Sequence, residues 1–220
     1  MVRDGIYYAT GFTLAAAIIA YFTNPWAALP VFLVGAFCAW FFRDPERLIP
    51  AGPVAVSPAD GKVVAVVPEG SGATRISIFL NIFDVHVNRA PISGIITAVE
   101  YQKGLFLNAG LEAASARNEQ NKVTIHGEET RVVFKQIAGL IARRIVFQKK
   151  PGDYVSAGER VGMIKFGSRV DVVFGPEWHL EVKQGMRVMA GSSVLARRLG
   201  VPDPVAVRRA PIEETVLCTT

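Results

Sequence analysis

Two apolar runs without a charged side chain occupy the N-terminal part of the chain. They are residues 5–22 (GIYYATGFTLAAAIIAYF) and 26–42 (WAALPVFLVGAFCAWFF), separated by the turn-forming tripeptide TNP. A membrane-spanning helix needs roughly 17–25 apolar residues, so each run is at the short end of that range. The pattern predicts a helical hairpin that crosses a bilayer twice or dips into it and returns. The alternative is a buried helical hairpin in a soluble oligomer.

The charges that flank these runs predict an orientation. Arg3 precedes the first run, Arg43 and Arg47 follow the second, and the connecting turn contains neither Lys nor Arg. Positive residues next to spanning segments remain on the cytoplasmic side. We therefore expect both ends of the hairpin, and the domain that follows it, on the cytoplasmic side of the inner cell membrane.

Beyond residue 47 the pattern changes to short β-branched runs separated by Gly, Pro, Asp and Ser. These runs lie at 54–57, 62–67, 75–80, 95–100, 122–126, 130–134 and 144–147. Short strands at such spacing are typical of a β-sandwich or barrel. One short helix is expected at 137–144, where Ile137, Leu140 and Ile141 share a side. The chain is thus predicted to divide into an N-terminal helical hairpin (1–47) and a mainly β (α+β) catalytic domain (48–220).

An internal repeat lies late in the chain. Residues 152–161 (GDYVSAGERV) align without gaps with residues 185–194 (GMRVMAGSSV), 33 positions later, and both fit Gly-x-x-Val-x-Ala-Gly-x-x-Val. Glycine adopts positive φ without steric cost, so the shared glycines indicate tight turns between short strands. The pattern resembles the hairpins of lipoyl/biotinyl-like sandwich domains, which describes a fold and not a function. After the second glycine one copy has Glu159, and the other has Ser192 followed by Ser193.

Composition excludes several classes of protein. The chain has 220 residues, of which 50% are hydrophobic and 20% charged, so it can bury a core and is not disordered. Its two cysteines, Cys38 and Cys218, do not make a disulfide scaffold. The net charge of +5, which includes Arg197 and Arg198, favours an anionic membrane surface as a partner. Nucleic acid is not expected, because no recognised fold or aromatic platform accompanies the basic residues.

The Gly-Ser bond of the second repeat is a candidate for self-cleavage. The hydroxyl of Ser192 can attack the carbonyl carbon of Gly191, which has no side chain to hinder the approach. The product is an ester that can lose its acyl group by elimination, leaving a residue that hydrolyses to a pyruvoyl group.

Such a hydroxyl needs a base, and the base needs an orienting group. The chain has three histidines, His86, His126 and His179, and Asp60 lies in a predicted turn between two strands. Spacing alone does not single out one trio, because such trios are recognised by geometry.

Six motifs in a particular order narrow the choice. They are FFRDPER (41–47), SPADG (57–61), FDVHVNRAP (83–91), QIAG with ARRI (136–139 and 142–145), FGSRVD (166–171) and GSS (191–193). Each motif alone is weak, but the ordered set resembles the phosphatidylserine decarboxylase proenzymes of the short bacterial type. The resemblance extends from the hairpin almost to the C-terminus.

The resemblance implies a chain that is made whole and then cuts itself between Gly191 and Ser192. The products, 1–191 and 192–220, would form a heterodimer that can assemble further. Ser192 would become a covalent pyruvoyl group.

By the same resemblance, Asp60, His86 and Ser192 match the family's self-processing triad. Ser193 is the less favoured converted residue, because the attacked carbonyl would then belong to Ser192.

The implied reaction is decarboxylation of phosphatidylserine to phosphatidylethanolamine and CO₂. The pyruvoyl group at Ser192 would form a Schiff base with the substrate amine and accept the electron pair, as pyridoxal phosphate does in other enzymes. No metal and no separate cofactor is expected. His86 is the expected proton donor, with His126 and His179 as alternatives. Some long-type relatives have a further histidine where this chain has Phe83, so a role of that histidine does not transfer.

Arginines in the family-like motifs are candidates for binding the lipid head group, since guanidinium suits both phosphate and carboxylate. They are Arg89, Arg143, Arg144 and Arg169. Ion pairs that stabilise the fold are the alternative role for each of them.

Two other functions compete with the decarboxylase. A non-catalytic, membrane-anchored adaptor or transport-complex module would account for the hairpin, the strands and the repeat, but not for the Ser192, Asp60 and His86 motifs. A zinc hydrolase using His86, Asp60 and His179 lacks a typical ligand spacing.

Overall fold

A computed structural model describes residues 3–140, 144–165 and 167–201, and it begins with a pair of helices. Helix α1 is Arg3–Phe22 and helix α2 is Pro25–Phe41. Asn24 caps α2 by accepting a hydrogen bond from the backbone N–H of Ala27 at 2.9 Å, and Pro25 suits the first helical position. The predicted helical hairpin is therefore confirmed.

The two helices pack against each other and leave most of their surface exposed. A Cβ added to Gly35 of α2 would lie 3.1 Å from the Cβ of Phe12, so glycine permits the close approach of α1. Within α1, Gly5–Phe22 has a mean hydropathy of 1.4 and is long enough to cross a membrane by length and composition. Helix α2 is shorter.

The remainder of the described chain is mainly β. Its strands are β1 Val54–Val56, β2 Gly61–Glu69, β3 Ala73–Leu80, β4 Val87–Arg89, β5 Gly94–Gln102, β6 Gln120–Gly127, β7 Thr130–Ile137, β8 Arg144–Phe147, β9 Tyr154–Val155, β10 Arg160–Lys165, β11 Ser168–Phe174, β12 Trp178–Leu180, β13 Arg187–Val188 and β14 Val194–Arg198. A short helix, α3, spans Glu112–Arg117. All seven predicted β-runs lie on strands, which confirms the mainly β prediction.

One curled eight-stranded sheet and two three-stranded sheets form the domain. The large sheet has the order β13-β2-β3-β11-β7-β6-β5-β9, and the small ones are β1-β14-β12 and β4-β10-β8. Adjacent strands are antiparallel throughout these sheets. The core contains fully buried residues of the large sheet, such as Ile78, Ile125, Phe134 and Val172. β-Branched and aromatic side chains of this kind pack well on the buried face of a strand.

The helix predicted at 137–144 is wrong. Strand β7 continues through Ile137, residues 138–140 have no helical structure, and β8 begins at Arg144; residues 141–143 lie outside the described part. Ile137 is fully buried at the end of a strand, whereas Leu140 is 62% exposed. Ile137 and Leu140 therefore do not share one buried face. Helix α3 was not predicted.

The two copies of the sequence repeat fold alike. Each consists of a two-residue strand, a tight turn and a longer strand: β9 and β10 in the first copy, β13 and β14 in the second. The φ angles match, at 94° and 95° for Gly152 and Gly185, and at 77° for both Gly158 and Gly191. Glycine is needed at these positions because other residues rarely adopt such angles.

The same 33-residue offset relates β1 to β4. The segment that contains β1 and the segment that contains β4 exchange reciprocal hydrogen bonds. The N–H of Val56 donates to the carbonyl of Pro91 at 2.8 Å, and the N–H of Arg89 donates to that of Pro58 at 2.9 Å. The repeat is thus larger in the structure than in the sequence, and it has approximate two-fold symmetry.

A buried charge network lies away from the repeats, on the face of β3 and β11. Arg169 donates to Asp171 at 2.7 Å and to Ser77 at 2.6 Å, and Arg75 donates to Asp171 at 3.2 Å. Glu112 of α3 pairs with both arginines. The network therefore attaches α3 to the sheet.

Asp171→Ala is expected to lower the free energy of unfolding by about 3–5 kcal/mol, because it leaves buried guanidinium groups without their central carboxylate. Urea unfolding in detergent, followed by circular dichroism, measures the change. The control is Lys122→Met, which removes the exposed ion pair with Glu100 and should change stability by less than about 1 kcal/mol. Equal effects of the two substitutions would contradict the prediction.

Candidate active site

The Gly191–Ser192 bond lies in the tight turn between β13 and β14. The N–H of Gly191 donates to the carbonyl of Ser57 at 2.8 Å, and the N–H groups of Ser192 and Ser193 both donate to the carbonyl of Met189. The hydroxyl of Ser193 accepts a hydrogen bond from the N–H of Met189 at 2.9 Å. Ser192 is half-buried, and within the described residues no hydrogen bond engages its hydroxyl. Of the two serines, Ser192 has the hydroxyl that is available to react.

Asp60 lies in the turn between β1 and β2 and contacts the Gly-Ser turn directly. Its Oδ1 accepts the N–H of Ala190 at 2.7 Å, and its Oδ2 lies 2.9 Å from Nη2 of Arg47. Burial raises the pKa of this carboxyl, and the nearby charge of Asp84 adds to the rise. The hydrogen bond from Ala190 and the guanidinium of Arg47 act in the opposite direction.

His86 precedes β4 and is fully buried. Its Nδ1 lies 2.8 Å from the carbonyl oxygen of Asp84, and its Nε2 accepts the N–H of Gly167 at 3.1 Å. These partners require the tautomer with the proton on Nδ1. Burial is the main cause that lowers the pKa of His86 to about 4, so the ring is neutral at pH 7.

The structure brings Asp60, but not His86, into contact with the Gly-Ser turn. Among residues 3–140, 144–165 and 167–201, no hydrogen bond joins His86 to Asp60 or to Ser192. Asp84 connects the two regions: its carbonyl faces His86, and its carboxylate pairs with Arg187 of β13. The processing triad therefore stays a prediction.

The loop that contains His86 packs against the end of the helical hairpin. The ring of Phe41 lies 4.4 Å from that of His86, centroid to centroid. Arg43 donates to the carbonyl of Phe83 at 2.6 Å and stacks over Trp40 at 4.2 Å. A small apolar cluster joins helix to domain, formed by Cys38, Phe41, Phe42, Val85, Val87 and Met163. A membrane that held the hairpin would thus lie close to this loop, where Phe83 is 68% exposed.

Comparison with known proteins gives one consistent result. A family model described as phosphatidylserine decarboxylase matches residues 34–196. The chain is 64% identical over 199 residues to the phosphatidylserine decarboxylase proenzyme of Solibacter usitatus, covering 90% of this chain and 97% of that protein. The chain belongs to the phosphatidylserine decarboxylase family. The proenzyme of Solidesulfovibrio magneticus is 44% identical over 206 residues, and that of Beijerinckia indica 43% over 207 residues, each over about nine-tenths of this chain.

Membership in the phosphatidylserine decarboxylase family confirms the resemblance inferred from the six motifs and the decarboxylase activity that it implies. The relatives are named proenzymes, which agrees with the expected self-processing. The adaptor alternative is not favoured.

The arginines predicted to bind the head group lie in different surroundings. Arg89 is buried, donates to the carbonyl of Gly158 at 2.9 Å and pairs with Asp44 at 3.0 Å, and Arg169 belongs to the buried network. Arg144 is exposed on β8, and Arg143 lies outside the described residues. Substrate binding by these four residues stays a prediction, with internal partners already present for Arg89 and Arg169.

The other two histidines are exposed, His126 on β6 and His179 on β12. In the part of the chain that the structure describes, no three His, Cys, Asp or Glu side chains form a group that could hold a metal ion. The zinc alternative therefore has no ligand set among those residues.

Arg47 was missed as a site residue. In the sequence it is an orientation signal and part of the FFRDPER motif. Its contacts with Asp60 and with the Sδ of Met189, the latter at 3.1 Å, place it at the Gly-Ser turn. A basic residue just after an apolar run carries no signal of a partner that lies so far along the chain.

Proposed function

We propose that this chain decarboxylates phosphatidylserine to phosphatidylethanolamine and CO₂, after cutting itself between Gly191 and Ser192. One observation carries the proposal: the family's Gly-Ser motif lies in a tight turn whose Ala190 N–H donates to the carboxylate of Asp60, and within the described residues no hydrogen bond engages the Ser192 hydroxyl. Family membership supplies the substrate, because the relatives are named for it.

Self-cleavage would proceed in balanced steps. A base removes the proton of Ser192 Oγ, which attacks the carbonyl carbon of Gly191; the C–N bond breaks, and the nitrogen takes up a proton to leave an ester. Loss of the Cα proton of Ser192 then breaks its Cβ–Oγ bond and releases Gly191 as a carboxylate. The dehydroalanine that remains at 192 adds water and loses ammonia, which gives the pyruvoyl group.

The surroundings of Ser192 fit a small carbonyl group. A Cβ on Gly191 would lie 3.0 Å from side-chain atoms of Arg89 and Ile49, so the turn is closely covered on one side, whereas Ser192 itself is half-buried. A pyruvoyl group at this position supplies an electron sink for loss of CO₂. In the proposal Asp60 holds the turn through Ala190, and Phe41 shields His86 from water.

His86 is the proposed proton carrier in both processing and decarboxylation. Its ring is neutral at pH 7, so Nε2 has the lone pair that a base needs, but this lone pair is engaged by the N–H of Gly167. The ring would therefore exchange this hydrogen bond for one with Ser192 when it acts as the base.

The two products of cleavage are expected to remain together as a heterodimer. Strand β14, which would belong to chain 192–220, pairs with β1 and β12 of chain 1–191. Its residues Leu195 and Ala196 are fully buried. Separating the chains would expose this apolar surface to water.

Residues 1–47 are proposed to anchor the enzyme in the inner membrane, with the catalytic domain 48–220 on the cytoplasmic side. The net positive charge of the chain would favour a membrane surface that contains anionic lipid. The apolar helix α1, the exposed Phe83 beside the end of α2 and the flanking arginines support this arrangement. A relationship of the two repeats to lipoyl-like sandwich hairpins is likewise proposed from their matched turns.

Denaturing electrophoresis with mass spectrometry of the purified protein tests the function. We expect fragments 1–191 and 192–220, the smaller one blocked at its N-terminus by a pyruvoyl group, and release of CO₂ from phosphatidylserine vesicles. Treatment with borohydride, which reduces carbonyl groups, should abolish the activity. An active preparation that contains only the intact chain would contradict the proposal, and an intact, inactive chain would favour the adaptor.

A further inference from the structure

The turn at Gly191 has an internal counterpart with no serine after its glycine. Glu159 takes the place of Ser192 in the turn at Gly158, where φ is the same 77°. The N–H of Gly158 donates to the carbonyl of Ala90 at 2.8 Å, just as that of Gly191 donates to Ser57. The backbone conformation and hydrogen bonding of the turn are therefore common to both copies, so they do not distinguish the Gly-Ser turn from its counterpart.

The two turns differ in what receives the N–H before the glycine. In the first copy Ala157 donates to the hydroxyl of Ser93 at 2.9 Å. In the second copy Ala190 donates to the carboxylate of Asp60 at 2.7 Å. Ser93 and Asp60 are related by the same 33-residue offset, so a neutral acceptor in one copy stands where the other has a charged one.

The carboxylate at the second turn has a dedicated partner. Arg47 places Nη2 at 2.9 Å from Oδ2 of Asp60, and both side chains are 13% exposed. Its Nη1 lies 3.1 Å from the Sδ of Met189, which precedes Ala190. One guanidinium thus contacts both the carboxylate and the turn, and its partly buried location makes the charge-assisted contact stronger than an exposed ion pair.

We infer that Arg47 is a positioning residue for self-cleavage: its guanidinium holds the Asp60 carboxylate against the N–H of Ala190, next to the Gly191–Ser192 bond. This inference rests on the proposed function. Without Arg47 the carboxylate would be buried beside Asp84 with no cation in contact, and it would gain a proton or move away from the turn.

The charges around Asp60 give the inference a pH signature. Asp60 faces Arg47 from the segment after α2 and Asp84 from the loop before β4, and Asp84 pairs in turn with Arg187 of β13. Arg47 lowers the pKa of Asp60, so removing it raises that pKa and decreases the ionised fraction at a given pH. The acid side of the cleavage-rate profile should therefore move to higher pH.

The test compares Arg47→Met, Arg47→Lys and Arg160→Met, each made by cell-free synthesis with detergent and diluted into buffers of graded pH. Appearance of fragment 192–220 on denaturing gels gives the rate of cleavage. We expect Arg47→Met to slow cleavage about 10- to 100-fold and to move the acid side of the pH–rate profile to higher pH. Arg47→Lys should recover part of the rate and part of the pH profile. Arg160 pairs with Asp44 and Glu46 in the same segment without touching the turn, so Arg160→Met should cleave at the wild-type rate.

The outcomes separate this inference from the proposed function. If the wild-type chain never cleaves, the proposed function fails. If the wild type cleaves and Arg47→Met cleaves equally fast with an unmoved pH profile, only the role of Arg47 is wrong. Slowing that is the same at every pH, or that Arg47→Lys does not relieve at all, would also overturn it, because it would indicate damage to the fold instead of loss of the charge.

Discussion

Replacing Ser192 with alanine is expected to leave the chain uncut and to lower decarboxylase activity by at least about 10³-fold. The hydroxyl of Ser192 is the proposed nucleophile and also the source of the carbonyl group, so its loss removes both steps at once. The substitution should be structurally mild, because within the described residues no hydrogen bond engages that hydroxyl. Electrophoresis reports the cut, and release of CO₂ from phosphatidylserine vesicles reports the activity.

Ser193→Ala is the matched control for this experiment. Its hydroxyl accepts the N–H of Met189 at 2.9 Å, so alanine weakens the turn but leaves the proposed nucleophile in place. We expect this variant to be cut between Gly191 and Ser192, more slowly than the wild type. If Ser193→Ala blocked cleavage completely while Ser192→Ala were cut, the converted residue would be Ser193.

His86→Gln is expected to fold and yet to cleave about 10²–10⁴-fold more slowly, the factor that a positioned acid–base group contributes. A glutamine amide can donate to the carbonyl of Asp84 and accept from the N–H of Gly167, as the ring does, but it cannot take up a proton at pH 7. His86→Ala should also lose processing, but it additionally leaves a cavity beside Phe41 and removes the side-chain partner of the Asp84 carbonyl and of the Gly167 N–H. The glutamine variant therefore separates chemistry from folding.

Thermal unfolding and the time course of cleavage should be measured on the same His86→Gln sample. His126→Gln and His179→Gln are the controls, since both histidines are exposed and should be dispensable. A folded His86→Gln chain that cleaves at the wild-type rate would show that His86 is a structural residue. Loss of cleavage in one of the control variants would transfer the role of base to that histidine.

Local patterns were sufficient for most of the secondary structure. The two uncharged runs became α1 and α2, with the break at Asn24-Pro25 where a cap and a first-turn proline belong. Every β-branched run became a strand, because half-buried pleated positions favour such side chains. The one helix predicted in the domain failed because β7 continues through Ile137, which is buried as the last residue of a strand, and Leu140 beyond it is exposed.

The candidate site was only partly predictable. The Gly-Ser turn and the turn that contains Asp60 could be located from glycines and neighbouring polar residues, but nothing local indicated that they meet. His86 was recognised as part of a motif, whereas its enclosure by Phe41 and by two backbone groups depends on how the helical hairpin docks on the domain.

Short-range information thus specified the elements of this molecule: apolar length for the hairpin, short β-branched runs for the strands, and glycines for the paired turns. Assembly of the site needed the folded domain, because Asp60 and Ala190 are 130 residues apart and Arg47 and Met189 are 142 apart. These contacts form when two related halves pack about an approximate two-fold axis. No local pattern in the chain carries the register of that packing, so the charge that distinguishes the Gly-Ser turn from its counterpart at Gly158 became visible only in three dimensions.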